Sequence, residues 1–306
     1  MPIVAAQPIG AVGEQLAPAT ADIAVVIPAY DEVGGVGRTV ARVREVLRAV
    51  PQTFSILVVD DGSTDGTAEE AEAHGATVIR LPENRGYGAA LKVGIAESDS
   101  EYVAIIDADG TYPAEALPRL IELMPAKDMA VGARAMNDRS IQIVRRPAKL
   151  VLGALASYLV GRRIPDLNSG LRIMRRSVLS QFLHLLPGGF SFTTTITLAA
   201  LTNGHRVDFV SIDYKKRSGS SKIRPIRDTL GFLSLIVRTV LYFNPLKVFF
   251  PVAVAIGLAL LGSIYFDIVI VQPPNLSDKT VLLFVALVQV LSVGLLADLV
   301  DKRSRL

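Results

Sequence analysis

Tyr102-Val103-Ala104-Ile105-Ile106-Asp107-Ala108-Asp109-Gly110 is the stretch from which the rest of the chain can be read. Its first five residues are all apolar or aromatic, the mark of a strand buried in a parallel sheet, and the run leads straight into two carboxylates. Open α/β sheets bind ligands at that carboxyl edge. Residues two apart in extended chain project to the same side, so Asp107 and Asp109 are expected to face one site about 7 Å apart along the backbone. Two hard oxygen donors there suit a divalent cation that keeps waters and takes phosphate oxygens as further ligands. A solvated turn would use the same Asp and Gly residues. The second buried run decides between them: Phe54-Ser55-Ile56-Leu57-Val58-Val59 ends in Asp60-Asp61-Gly62-Ser63-Thr64-Asp65-Gly66-Thr67. Two strands of one sheet then deliver carboxylates to one edge.

Upstream, Ile23-Ala24-Val25-Val26-Ile27 reads as the first strand, closed by Pro28-Ala29-Tyr30-Asp31-Glu32. Val36, Val40, Val43, Leu47 and Val50 recur at helical spacing and predict an amphipathic helix that covers the sheet. Strand, helix and strand in that order make a right-handed crossover. The unit repeats, with a helix near Thr64 to His74 capped by Thr64 or Asp65, and a short strand over Thr77 to Leu81. The glycine-rich turn Asn84-Arg85-Gly86-Tyr87-Gly88 opens a helix from Ala89 to Glu97. Pro113 starts another to about Met124, and Met129 to Gly132 is the next strand, leading to Arg134. This alternation specifies a doubly wound α/β domain.

Beyond Arg134 the rhythm changes. Ile141 to Val160 reads as a helix with a basic entry at Arg145-Arg146-Pro147, and Asp166-Leu167-Asn168-Ser169-Gly170-Leu171-Arg172 follows. Helical stretches come around Arg176 to Leu186 and Thr193 to Asn203, then a strand over Arg206 to Tyr214 that ends in Lys215-Lys216-Arg217-Ser218-Gly219-Ser220-Ser221-Lys222.

The last quarter differs in kind. Val248 to Phe266 is nineteen residues without a charge, a helix of about 28 Å against a hydrocarbon core of about 30 Å. Val281 to Ala297 is a second run, and Asp267 and Asp298 fall just outside the two, as expected when a mid-helix Asp costs about 3 kcal/mol on insertion. The link between them is short enough only for a hairpin. Arg224, Arg227, Arg238 and Lys247 precede the pair and Lys302, Arg303 and Arg305 follow it, so the positive-inside rule places the globular domain and both termini in the cytoplasm. Leu230 to Phe243 reads as an amphipathic helix in the membrane interface. The expected organisation is a disordered leader (1–21), an α/β catalytic domain (22–222), juxtamembrane amphipathic helices (223–246), a transmembrane hairpin (247–300) and a cytoplasmic tail (301–306).

Composition agrees with a membrane protein and narrows its chemistry. Of 306 residues half are hydrophobic and the mean hydropathy is +0.41. The absence of cysteine removes disulfides, thiolate catalysis and thiolate metal sites. Only three histidines, His74, His184 and His205, are present, all away from the strand ends. The net charge of +3 conceals acidic strand ends in the first half and cations clustered between Arg134 and Arg238. Such a cluster suits a phosphate or an anionic membrane surface, and no nucleic-acid motif accompanies it. A dinucleotide site is excluded because Gly35-Val36-Gly37 is followed by Val40 where the fingerprint needs Gly or Ala, and Pro28 to Val33 intervene after the strand.

Taken together, the motifs at Val26 to Glu32, Val58 to Thr67, Asn84 to Gly88 and Asp107 to Asp109 resemble the family-two inverting glycosyltransferases of the GT-A fold. Asn168 to Arg172 and Arg217 to Lys222 resemble more narrowly the polyprenyl-phosphate glycosyltransferases, the group that includes dolichol-phosphate mannose synthase. The resemblance implies that Pro28, Tyr30 and Glu32 line the nucleotide pocket, that Asp60 and Asp61 contact base and ribose, and that Lys92 helps with the nucleotide. It implies that Asp107 and Asp109 hold the diphosphate and a Mg2+ or Mn2+ ion, and that Arg134, Arg146 and Arg217 grip phosphate. In the mannose synthases the acidic motif is commonly followed by Leu-Gln; this chain has Gly110-Thr111.

A hydroxyl acceptor needs a general base, which the family commonly supplies from a Glu-Asp pair; here Asp166 stands before Leu167-Asn168 instead. A lipid phosphate is already anionic and needs cations to place it. The expected activity is inverting transfer of sugar from a nucleoside-diphosphate-sugar to a polyprenyl phosphate at the bilayer, by a possible homo-oligomer, with Asp166 steadying the acceptor or a sugar hydroxyl. Two alternatives stay open: transfer to a lipid hydroxyl with Asp166 as base, and an inactive nucleotide-binding membrane scaffold.

Overall fold

The structure is a computed structural model that describes residues 21–134, 146–189, 191–214, 233–234, 236–242, 244–270 and 275–304, without the side chains of 146–152 and 301–304. Residues 1–20 of the expected leader (1–21), Arg217 and the side chain of Arg146 lie outside the described residues.

Strand β1 (Ile23–Ala29) is buried along its whole length, as a run of Ile, Ala, Val and Pro with no polar residue requires of a central strand. Helix α1 (Val36–Leu47) lays Val36, Val40, Val43 and Leu47 against the sheet. There follow β2 (Phe54–Asp60), α2 (Thr67–Ala73), β3 (Thr77–Arg80), α3 (Tyr87–Ala96) and β4 (Tyr102–Ile105). A short 3-10 turn, Ala114–Ala116, leads into α4 (Leu117–Leu123) and then β5 (Met129–Arg134). The doubly wound reading holds, and α3 begins two residues earlier than the glycine-rich turn suggested. Asp65 does the capping work at α2 from one residue before the cap position, accepting the Thr67 N–H at 3.0 Å.

The sheet has seven strands in the order β3-β2-β1-β4-β6-β5-β7. After α5 (Arg146–Val160) comes β6 (Arg172–Arg175), then α6 (Arg176–Phe182), α7 (Phe192–Thr202) and β7 (Val207–Ile212). Strand β6 is antiparallel to both β4 and β5, with Arg172 opposite Ile105 and Val131. It was not visible in the sequence, because Arg-Ile-Met-Arg has only two apolar residues. Its direction matters for the site: a strand running the other way enters the sheet at the edge where β4 leaves it. One apolar layer packs α1 and α4 on one face of the sheet, and another packs α3, α5, α6 and α7 on the other.

The helix expected in the interface is helical over 236–242, and Ile236 and Val240, four apart, are buried in the second of these layers. Its inner face belongs to the globular domain. Two helices, Leu246–Tyr265 and Asp278–Ser304, then pack side by side. The spans Leu246–Ile270 and Asp278–Val300 are long and apolar enough to cross a membrane. Most of their large apolar residues face outward, Leu258 65% and Leu282 67% exposed, which in water would be unsustainable and in lipid is favourable. At the hairpin's far end Asp267 accepts hydrogen bonds from the Ser277 N–H (2.8 Å), Ser277 Oγ (2.6 Å) and Thr280 Oγ1 (2.6 Å). A buried carboxylate is tolerable only when so satisfied.

Candidate active site

Strand β1 lies between β2 and β4, and the chain departs from it in opposite directions, so the crevice beside the end of β1 is the switch point at which open sheets bind ligands. Ala29 pairs with Asp60 and Val26 with Ile105, which brings the end of β2 and the Asp107 turn to the same edge. With strands about 4.8 Å apart, Asp60 and Asp107 flank β1 at roughly 10 Å.

The loops leaving β1 and β2 are stitched together. The Asp31 N–H donates to Ser63 Oγ (2.9 Å), the Thr64 N–H to Asp31 Oδ1 (3.1 Å), the Glu32 N–H to Thr67 Oγ1 (2.9 Å) and the Val33 N–H to Asp65 Oδ2 (3.1 Å). These bonds hold Asp31 at φ 50°, a left-handed conformation that a non-glycine residue adopts at a cost. Tyr30 beside it is 46% exposed, an aromatic face presented at the edge. Asp60 and Asp61 are buried. Asp60 accepts the Ser63 N–H at 3.1 Å. Asp61 is committed to the glycine-rich turn, accepting the N–H groups of Arg85 and Gly86, both at 2.8 Å. That turn also packs on the chain before α7: a β-carbon at Gly88 would overlap the backbone of Pro187 and Gly188.

Asp107 is half-buried at the end of β4 and accepts a hydrogen bond from Tyr87 Oη at 2.9 Å. Burial, with the like charge of Asp109, pushes its carboxyl up to about 6, against the Tyr87 hydrogen bond and the positive charges of Arg134 and Arg172. Burial and Asp107 together push the Tyr87 hydroxyl well above its usual range, so it stays a donor. Asp109 Oδ1 accepts the Thr111 N–H (3.0 Å) and Thr111 Oγ1 (2.6 Å). Thr111 thus orients Asp109. Among the described residues no group of three or more His, Cys, Asp or Glu is placed to hold a metal. Two hard carboxylates side by side nevertheless fit a divalent cation whose other ligands are diphosphate oxygens and water.

On the far side of Asp107 stands a second charged pair. Arg134, the last residue of β5, forms a two-pronged ion pair with Asp166, Nε to Oδ2 at 2.6 Å and Nη2 to Oδ1 at 2.9 Å. The backbone N–H groups of Arg134 and Asn168 also donate to Asp166, each at 3.2 Å, and Asp166 is 2% exposed. Burial alone would lower the Arg134 guanidinium; its bonds to Asp166 outweigh this and push it up. The guanidinium lies over the Tyr214 ring at 5.3 Å, and Tyr214 meets Tyr112 edge-on at 4.9 Å. Tyr112 Oη accepts the Gly170 N–H at 2.8 Å. Because β6 runs antiparallel, the Ser169-Gly170 corner abuts Asp107.

Of the residues singled out from the sequence, Pro28, Tyr30, Glu32, Asp60, Asp61, Asp107, Asp109, Arg134 and Asp166 therefore occupy one edge of the sheet or the loops leaving it. Lys92 is half-buried in α3, about 7.5 Å along the helix beyond Tyr87, away from that edge. Tyr87, Tyr112 and Arg172 were not singled out, although Tyr87 and Arg172 stood inside quoted motifs. Their roles depend on contacts 20 and 25 residues distant. Two of the three histidines are engaged elsewhere: His74 Nδ1 meets the Glu70 carbonyl at 2.8 Å, and His205 packs on Phe182.

The family profile described as Glycosyl transferase family 2 matches residues 24–183, and that of the GtrB C-terminal hairpin matches 244–302. The chain is 30% identical over 206 residues to a dolichyl-phosphate hexose transferase of Haloferax volcanii, covering 67% of this chain and 87% of that protein. It is 33% identical over 199 residues to an undecaprenyl-phosphate 4-deoxy-4-formamido-L-arabinose transferase of Pseudomonas paraeruginosa, covering 60% and 58%. Against a protein of the same description from Pseudomonas savastanoi it is 27% identical over 293 residues, covering 90% and 84%. The chain thus spans less than two thirds of the length of some of these relatives. Among solved structures, glucosyl-3-phosphoglycerate synthase of Mycobacterium tuberculosis superimposes with a TM-score of 0.55 at 22% identity, over 72% of this chain and 79% of that one. One crystal form of that enzyme contains Mn2+ and uridine diphosphate. At this identity the likeness speaks for the fold.

Proposed function

This chain belongs to glycosyl transferase family 2, and on that premise we propose that it moves a sugar from a nucleoside-diphosphate-sugar to a polyprenyl phosphate at the cytoplasmic face of a membrane, with inversion. The observation that carries the choice of acceptor is the state of Asp166. A general base must reach the proton it takes, whereas Asp166 is buried and both its oxygens are held by Arg134. An acceptor phosphate needs no base. The relatives named for dolichyl and undecaprenyl phosphate support the same reading.

In this reading Tyr30, Pro28 and Glu32 form the wall of the nucleotide pocket, Asp60 contacts the nucleoside, and Asp61 acts by holding the glycine-rich turn. Asp107 and Asp109 hold Mg2+ or Mn2+, which when bound neutralises charge developing on the departing diphosphate. Tyr87 fixes the Asp107 carboxylate, and Thr111 fixes Asp109. Arg134, with Arg146 and Arg217, places the acceptor phosphate. The cations that flank the hairpin in the sequence support a cytoplasmic placement of the domain and both termini.

The test is a donor screen against short-chain polyprenyl phosphate and the matching polyprenol, with and without Mn2+, reading released nucleoside diphosphate. Release with the phosphate alone, abolished by EDTA, is expected. Release with the alcohol and not the phosphate would reject the acceptor; full release in EDTA would reject the metal.

A further inference from the structure

Among the described residues Arg172 heads the fully buried side chains by volume, and nothing in the proposed chemistry uses it. Its guanidinium donates to the Ser169 carbonyl from Nε (3.2 Å) and Nη2 (2.5 Å), and from Nη1 to the Thr193 carbonyl (3.0 Å) and Thr197 Oγ1 (2.9 Å). The three acceptor atoms of these four bonds are all uncharged. Burying a cation among neutral oxygens is unfavourable against leaving it in water, and burial does push this guanidinium down from its usual range. A leucine or methionine would fill the volume without that cost.

The contacts show what the cation does for the fold. Ser169 and Gly170 form the corner where the chain turns into β6, and a β-carbon at Gly170 would overlap the Asp107 carboxylate. That corner is tied on every side: Ser169 Oγ donates to the Gly132 carbonyl at 2.5 Å, the Gly170 N–H to Tyr112 Oη, and the Ser169 carbonyl takes the Arg172 fork. The same fork reaches the first turns of α7 through Thr193 and Thr197. Tyr87 contacts Asp107 as well, through a hydrogen bond from α3.

We propose that Arg172 is a positioning residue of the transfer site: its fork clamps the Ser169-Gly170 corner to α7, and the corner holds the Asp107 carboxylate in the orientation that takes up a divalent cation and diphosphate. This rests on the metal-dependent reading above. The task demands a fork. A lysine at 172 presents its donors from one nitrogen and does not reproduce four bonds to two elements.

The experiment compares the full-length wild type with Arg172→Lys, and with Met174→Ala as a control on the same strand, buried in the apolar layer. Free Mn2+ is followed by electron paramagnetic resonance during titration, with Mn2+ alone and with inorganic pyrophosphate; the thermal midpoint and kcat are measured in parallel. Loss of a residue that orients a metal ligand typically costs about 10- to 100-fold in affinity or activity. Arg172→Lys is therefore expected to weaken Mn2+ binding about 10-fold and lower kcat similarly. Met174→Ala should lower the midpoint while leaving Mn2+ affinity within about twofold of wild type. Wild-type affinity and kcat in Arg172→Lys, or equal loss of affinity in the control, would overturn the proposal. Failure of the wild type to take up Mn2+ in either condition would overturn the metal reading, and this inference with it. Should Arg172→Lys not fold, Thr197→Val removes one of the four bonds and keeps the cation: weaker Mn2+ binding supports the clamp, and unchanged binding overturns it.

Discussion

Replacing Asp107 with Asn should make the metal-free protein more stable while destroying its activity. The Asp107 carboxyl rises from 3.8 to about 6 in the folded protein, so ionising it above its unfolded pKa works against the fold. The sign follows: a carboxyl whose pKa is raised by folding contributes most below about pH 4, and that contribution is lost as pH rises through about 6. Roughly two units at about 1.4 kcal/mol each set an upper limit of about 3 kcal/mol, and water at the open edge of the sheet reduces it to about 1 to 3. Asn removes the charge, and its oxygen still accepts the hydroxyl of Tyr87. At about 2 to 4 °C per kcal/mol for a domain of this size, the variant should melt roughly 3 to 10 °C above wild type in EDTA at pH 7.5. The gap should close near pH 4. Saturating Mn2+ should raise the wild-type midpoint and leave that of the variant unchanged, because ligands stabilise the state they bind. Thermal melts of the detergent-solubilised protein at the two pH values, with EDTA and with Mn2+, measure all of this. A variant less stable than wild type at pH 7.5 in EDTA, or a gap independent of pH, would refute the reasoning.

Asp109→Ala should reduce transfer at least about 100-fold, the usual loss when a preorganised stabiliser of developing charge is removed; Mn2+-dependent rates of the purified protein check it. Breaking the Arg134 pair by Asp166→Asn should cost up to about 3 kcal/mol of stability by leaving a part-buried cation without its counter-charge, seen as a lower melting midpoint. If the acceptor is a phosphate, the acidic limb of its pH–rate profile should match that of wild type. Gly88→Ala should destabilise the glycine-rich turn by forcing its backbone off Pro187 and Gly188, read as a lower midpoint with donor KM raised more than acceptor KM. A tag after Leu306 should be shielded from protease in sealed cells and cut once the membrane is opened; surface cleavage would reverse the orientation.

Much of this protein was legible in the amino-acid order, because its information is local. Apolar runs ending in acids at Asp60 and Asp107 set out strands and the edge they serve, and the spacing of Val36, Val40, Val43 and Leu47 set out the helix that precedes the first of them. The uncharged runs after Lys247 and Lys279 specified the hairpin, since hydrocarbon permits few other sequences. What needed the tertiary structure was every feature in which a polar residue takes a place that its own neighbours in sequence do not predict. Strand β6 is one: Arg172 and Arg175 bracket it, and only pairing with β4 and β5 makes Arg-Ile-Met-Arg a strand. Its antiparallel course carries Ser169 and Gly170 to Asp107, a meeting that no spacing along the chain records. The commitment of Asp166 to Arg134 across 32 residues is another, and it engages both oxygens of the carboxylate. The apolar pair Ile236 and Val240 also needed it: the segment is helical and amphipathic by pattern, and its docking partner is decided by the fold. Periodicity reports which face of an element is apolar; which surface that face meets, and which charges meet across it, is decided only when the elements pack.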